Sequence, residues 1–201
     1  MSSSLDDFTA TSDIELVKLA KTGNADAFAM LFQRYKQPVR GYLAGLLGNS
    51  ENADDLTQQA FLKAWEKLPT LHDGSRFKPW IFTIARNLAY DYMRLLARSP
   101  AQSLEILMEH KDTANGINLE DETTAKELAK LALAELKPKY RDCLLLLIEG
   151  GFSHDEIAEL LKIGKTSVST YICTARRLFH QAYYRLKNEA EANEKGEGSD
   201  E

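Results

Sequence analysis

Between residues 72 and 98, aromatic and cationic side chains alternate in a pattern that suits one kind of chemistry. Phe77, Trp80, Phe82, Tyr90 and Tyr92 interleave with Arg76, Lys78, Arg86, Arg94 and Arg98, and Asn87 stands among them. Aromatic faces stack on unpaired bases, cations take phosphates, and a carboxamide offers both a donor and an acceptor to a base edge. Capture of a separated nucleic-acid strand calls on all three, because opening a duplex gives up stacking that the binder has to replace. A helix carrying these residues must also bury a face. Trp80, Ile81, Ile84, Leu88 and Tyr92 fit that stripe, which leaves no more than two aromatics for nucleic acid and makes polar Asn87 the stronger candidate.

A polar helix precedes this segment, over about 53–68. Leu56, Ala60, Leu62 and Trp65 include positions that serve a core, whereas Asp54, Asp55, Gln58, Gln59, Lys63 and Glu66 are polar. Taken alone, these read either as a solvated face or as a docking face, since acids at a helix start also favour the macrodipole. Charge separates the two ends of this region. Residues 1–61 hold five Lys and Arg against eight Asp and Glu, whereas residues 62–98 hold seven against three, so the net charge of −5 conceals a basic end suited to nucleic acid.

A third constellation lies near the C-terminus. Ser153-His154-Asp155-Glu156 is a capping-box pattern opening a short helix with Ile157, Ala158, Leu160 and Leu161, and Gly164 is expected to supply the following turn. A longer helix from about residue 166 turns Val168, Ile172, Ala175, Leu178 and Phe179 inward and Ser167, Ser169, Thr170, Arg176 and Arg177 outward. This is the pattern of a helix-turn-helix whose second helix enters the major groove, with hydroxyls on base edges or phosphates and Lys165, Arg176 and Arg177 on phosphates. A plain helical hairpin shares the apolar spacing.

The elements that must position these groups read as helices throughout, because helical periodicity and caps recur and no segment sustains period-two alternation. Ser12 with Glu15 makes another capping box, Gly23 ends that helix, Asn24 starts the next, and Pro38 is expected to bend or interrupt it before Gly48. Pro79 suits the first turn of the fourth helix. The expected organisation is a flexible 1–12, a four-helix domain over 13–98, an acidic linker over 99–124 that permits two mobile domains, a helix-turn-helix domain over 125–187, and a disordered acidic tail over 188–201. That tail is expected to serve solubility, with shielding of the basic helix as the alternative.

Composition bounds the rest. The apolar fraction of 44% is ample for packed cores, and the longest apolar runs, such as 143–148, are far too short to cross a membrane, so a cytoplasmic location without membrane insertion is expected. Cys143 and Cys173 have no metal-ligand spacing and read as reduced core residues. There is no Gly-rich phosphate loop or zinc-ligand cluster, and the histidines at 72, 110, 154 and 180 are scattered, so neither enzyme, metal nor cofactor is expected.

These motifs together resemble the extracytoplasmic-function branch of the sigma-70 family, across about residues 13–187. The resemblance implies two helical domains, sigma regions 2 and 4, in a non-catalytic specificity subunit that directs bacterial RNA polymerase to promoters and helps melt them. It implies RNA polymerase core (the β′ clamp helices and the β flap), promoter DNA and an anti-sigma factor as partners, and an association with the nucleoid through polymerase. By it, Asp54, Asp55, Gln58, Gln59 and Phe61 bind core polymerase. His72, Arg76, Phe77, Lys78, Arg86, Asn87, Asp91 and Arg94 meet the −10 element, and Lys165, Thr166, Ser167, Ser169, Thr170, Arg176 and Arg177 meet the −35 element. The chain departs from the family in placing Ser169, Thr170, Tyr171 and Thr174 where strong −35 readers carry cations, which implies weaker contacts there. The alternative is a sigma-like mimic that binds an anti-sigma factor or polymerase without reading promoters.

Overall fold

The computed structural model describes residues 10–98 and 122–197, and every regular element among them is helical. Helix α1 (Asp13–Lys21) opens on a complete capping box, with the Glu15 amide on Ser12 Oγ at 3.3 Å and the Ser12 amide on Glu15 at 3.2 Å. Helix α2 (Ala25–Leu47) is capped by Asn24 and closed by Gly48 in the left-handed region at φ 72°. It runs through Pro38 without interruption. The lost backbone bond there is outweighed by burial of Leu31, Val39, Tyr42 and Leu43 on either side of it.

Helix α3 (Ser50–Lys67) starts earlier than the apolar pattern implied because Asn49 accepts from the Glu51 and Asn52 amides. After two single 3-10 turns, Leu68–Thr70 and Gly74–Arg76, helix α4 spans Phe77–Arg98. Asp73 organises its approach, accepting from the Ser75 amide and hydroxyl at 2.9 and 2.7 Å.

The second domain consists of α5 (Glu122–Ala134), α6 (Pro138–Ile148), α7 (His154–Leu161) and α8 (Lys165–Glu197). The Ser153 capping box forms as expected. The left-handed residue after α7, however, is Lys162 at φ 55°, not Gly164. Its amide reaches the Ala158 and Glu159 carbonyls, so closing the last turn of α7 sets the conformation. Gly164 instead supplies the carbonyl that receives the Ser167 and Val168 amides.

A further expectation needs correction. Helix α8 does not end near Lys187 but continues to Glu197, because extending an existing helix through good helix formers requires no new nucleus. Arg185–Glu189 and Lys187–Glu191 pairs at 3.7 and 3.8 Å add support. The two domains pack on one another. One apolar core runs from Leu31, Phe77 and Ile81 into Leu145, Phe152, Ile157 and Val168, and the Phe82 and Phe152 rings meet edge to face at 5.0 Å. The expected linker falls almost wholly outside the described residues.

Because Lys162 holds a positive φ with a side chain that gains little from it, Lys162→Gly is expected to stabilise the fold by roughly 0.5–1 kcal/mol. The urea midpoint of unfolding measures this, and an unchanged or lower midpoint would contradict it.

Candidate nucleic-acid interface

Helix α4 has two polar sides with different surroundings. Along one, Thr83, Asn87, Asp91 and Arg94 follow one another at helical spacing and are exposed, with Arg94 paired to Asp91. His72, in the preceding loop, is exposed as well. Along the other, Lys78 and Arg86 reach the second domain, and Arg76 joins them from the turn just before the helix. Arg76 pairs with Glu159 of α7, and Lys78 donates to the Gly151 carbonyl at 3.1 Å while its ammonium lies 4.4 Å from the Phe152 ring centroid. Arg86 donates to Asp142 of α6 at 2.7 Å.

Asp142 is only 2% exposed and accepts three bonds from the first domain. Tyr42 donates to one oxygen at 2.6 Å; Arg86 and Tyr90 donate to the other at 2.7 and 3.1 Å. A buried carboxylate is tolerable only with such company. The group titrations follow. Burial, and then the Asp142 charge, push the Tyr42 hydroxyl well above its ordinary pKa and that of Tyr90 up to about 12. Burial lowers the Arg86 pKa, but the adjacent carboxylate outweighs it and leaves Arg86 more firmly charged. The neighbouring Arg141 donates to the Leu46 carbonyl at the end of α2 at 3.1 Å and to Ala134 and Leu136 on its own side, while burial pulls its pKa down.

The sequence-based site residues therefore divide. Asn87, Asp91, Arg94 and His72 are on the surface without contact to the second domain, while Lys78, Arg86 and the still exposed Arg76 reach it. Phe77 is a correction: it is wholly buried among Phe28, Tyr35 and Trp80, and presents no face to a base. Phe82 is likewise core, while Trp80 is half-buried.

On α3, Asp55, Gln58 and Gln59 are exposed, and Asp54 is held by Arg40 through bonds of 2.6 and 3.1 Å that lower its pKa. Phe61 is the second correction, 3% exposed and packed edge to face on Phe32 at 4.8 Å. Leu62 and Trp65, assigned to possible core positions, are 64% and 39% exposed instead. With Phe28, Phe32, Lys36 and Gln58 they line a groove of about 520 Å³ beside the polar face. Their spacing does not distinguish this from burial, so the groove was not foreseen.

On α8, Lys165, Thr166, Ser169, Thr170, Arg176 and Arg177 are exposed and Ser167 half-buried, with Val168, Ile172 and Ala175 turned into the core. Lys165 pairs with Asp155 and Ser169 contacts His154, so the start of the helix is tied to α7.

Fold and site define a two-domain helical protein with a helix-turn-helix. Residues 31–99 match the family model described as Sigma-70 region 2, and residues 126–179 the one described as Sigma-70, region 4. The chain is 30% identical to the extracytoplasmic-function RNA polymerase sigma factor SigW of Bacillus subtilis over 80% of this chain and 90% of that one. It is 30% identical to the RNA polymerase sigma factor CarQ of Myxococcus xanthus over 83% and 91%, and 31% identical to the sigma factor BldN of Streptomyces coelicolor over 78% of this chain and 60% of BldN. Among solved structures, CnrH in complex with the cytosolic domain of CnrY has the same fold, with a TM-score of 0.61 at 24% identity over 84% of this chain and 95% of that one. RpoE of Bartonella quintana, in complex with the anti-sigma factor NepR, has a TM-score of 0.61 at 23% identity over 77% and 95%. The chain belongs to the extracytoplasmic-function branch of the sigma-70 family and is an RNA polymerase sigma factor.

The Tyr42 bond can be removed without disturbing its ring. Tyr42→Phe is expected to lower stability by about 2 kcal/mol, because a buried charge loses a donor while the ring stays against Phe82. A urea midpoint equal to that of the parent would contradict the role given to this bond.

Proposed function

We propose that this sigma factor reads the −10 element of its promoters through the exposed stripe of α4, with Asn87 bonding a base edge and His72, Asp91 and Arg94 around it. The observation that carries this is the exposure of Asn87 at the middle of α4, in a row with Thr83, Asp91 and Arg94 on the side turned away from the buried stripe. A carboxamide there has donor and acceptor free for a base turned out of the stack. Arg76, Lys78 and Arg86 complete the surface by taking phosphates once released from the second domain.

RNA polymerase core docks on Asp54, Asp55, Gln58 and Gln59 of α3, and the apolar groove at Leu62 and Trp65 adds to that surface. The polar row gives orientation and the exposed aromatic gives area, the combination that anchors protein interfaces. The start of α8 reads the −35 element by hydroxyls more than by cations, with Arg176 and Arg177 on the backbone, so this contact is the weaker of the two. Catalysis belongs to the polymerase, with which the protein acts at the nucleoid. An anti-sigma factor is a further partner, as for the related RpoE, which is seen with NepR.

Run-off transcription from a randomised promoter library, with core polymerase and either this protein or its Asn87→Ala variant, tests the reading. The parent should yield transcripts sharing a −10 motif. The variant should lose about tenfold or more in initiation and relax the preference at a single position. Initiation unaffected by the substitution would remove Asn87 from the site, and core binding without any initiation would leave a sigma-like mimic.

A further inference from the structure

A second cavity, of about 620 Å³, opens where the turn before α4 and the first turns of that helix meet α7. Its size suits a metabolite, and a seam between domains is a common place for such a site. Leu71 and Trp80 come to it from the first domain, Leu160 and Lys162 from the second. Trp80 rests on Phe77 at a centroid distance of 6.0 Å and is only half-buried, so part of its indole is left for another ring or chain. The polar groups of the lining are mostly committed. Glu159 takes the Arg76 guanidinium, Glu156 takes the Ser153 amide and hydroxyl, each at 2.8 Å, and the Thr83 hydroxyl donates to the Pro79 carbonyl at 2.7 Å. Lys162 is the exception: its side chain is exposed and makes no hydrogen bond or ion pair with the described residues.

Among the described residues Lys162 is also the one non-glycine with a positive φ, at 55°. Its backbone closes α7, but the left-handed conformation is a cost for any residue with a side chain, and this side chain gains nothing within the molecule to offset it. Backbone strain and an unpaired cation thus coincide at one wall of one cavity. We propose that this cavity binds a small monoanion with an apolar, aromatic body: its carboxylate bonds Lys162 and its body lies among Trp80, Leu71 and Leu160. A single negative charge is preferred because Glu156 and Glu159 line the same space and would repel a second, as on a phosphate monoester. Because the lining comes from both domains, the site is complete only while they are packed together, and a ligand held there adds to that packing by mass action. Its two anchors, Trp80 and Lys162, take no part in the promoter contacts proposed above, so loss of either function leaves the other intact.

Fluorescence reads the site directly, since Trp65 and Trp80 are the two tryptophans of the chain. In the full chain carrying Trp65→Phe, phenylbutyrate is expected to change the Trp80 emission saturably. Phenylbutyramide, of the same shape without the charge, is expected to bind about tenfold more weakly. Lys162→Gln, at an exposed position, should abolish that preference, so that acid and amide bind alike. The lost cation is on the second domain and the reporter on the first, so this result also shows that both touch one ligand. No saturable change up to about 10 mM phenylbutyrate overturns the site. Equal affinities for acid and amide in the parent, or a preference that survives in Lys162→Gln, overturn the role of Lys162. Deoxyadenosine monophosphate binding more tightly than phenylbutyrate assigns the cavity to nucleotides and overturns the choice of ligand.

Discussion

A carboxylate without exposure to water must be surrounded by donors, and Asp142 finds its three on another domain. Much of the architecture follows from that requirement. Tyr42 must sit on the face of α2 that meets α6, and Arg86 and Tyr90, one helical turn apart on α4, must turn toward the same point. Phe82 and Phe152 then fill the apolar volume beside the polar cluster, and Arg141 closes its edge against the end of α2. Withdrawing the carboxylate would leave one charged and two hydroxyl groups short of an acceptor in a poorly hydrated place, so the cluster favours a single relative placement of the domains over many loose ones.

The same requirement divides the surface by use. The exposed row of α4 carries a carboxamide with both hydrogen-bonding senses, while Arg76 and Arg86 pair with carboxylates of the second domain and Lys78 donates to a backbone carbonyl there. The acidic and amide row of α3, with Leu62 and Trp65 beside it, lies away from the interdomain contact. An overall charge of −5 is compatible with nucleic-acid binding on this arrangement, because cations outnumber acids on α4 and residues 165–187 of α8 hold no Asp or Glu.

Local features were legible in the sequence. Ser12, Asn24 and Ser153 have a capping side chain at the right offset from an apolar stripe, and each caps a helix in the structure. Val168, Ile172 and Ala175 were read as inward from spacing alone, and are buried. What escaped depends on distant partners. Nothing near Arg86 in the sequence points to a carboxylate fifty-six residues later, and nothing in periodicity reveals that Gly41 and Gly45 face another domain. The family resemblance gives Phe61 and Phe77 contact roles, but an aromatic beside a functional residue is as readily its support, and both are core. In the turn expected of Gly164 it is Lys162 that takes the left-handed conformation, because the end of α7 is decided by its carbonyls, not by the nearest glycine.

The measurement that bears most directly on this account is energy transfer between dyes at Lys18→Cys and the exposed Cys173, with the buried Cys143 replaced by Ala, in the free chain and after addition of core polymerase. Strong transfer in the free chain that falls when polymerase binds would show the second domain resting on α4 and leaving it in the transcription complex. Weak transfer in the free chain, or the same transfer in both states, would contradict it.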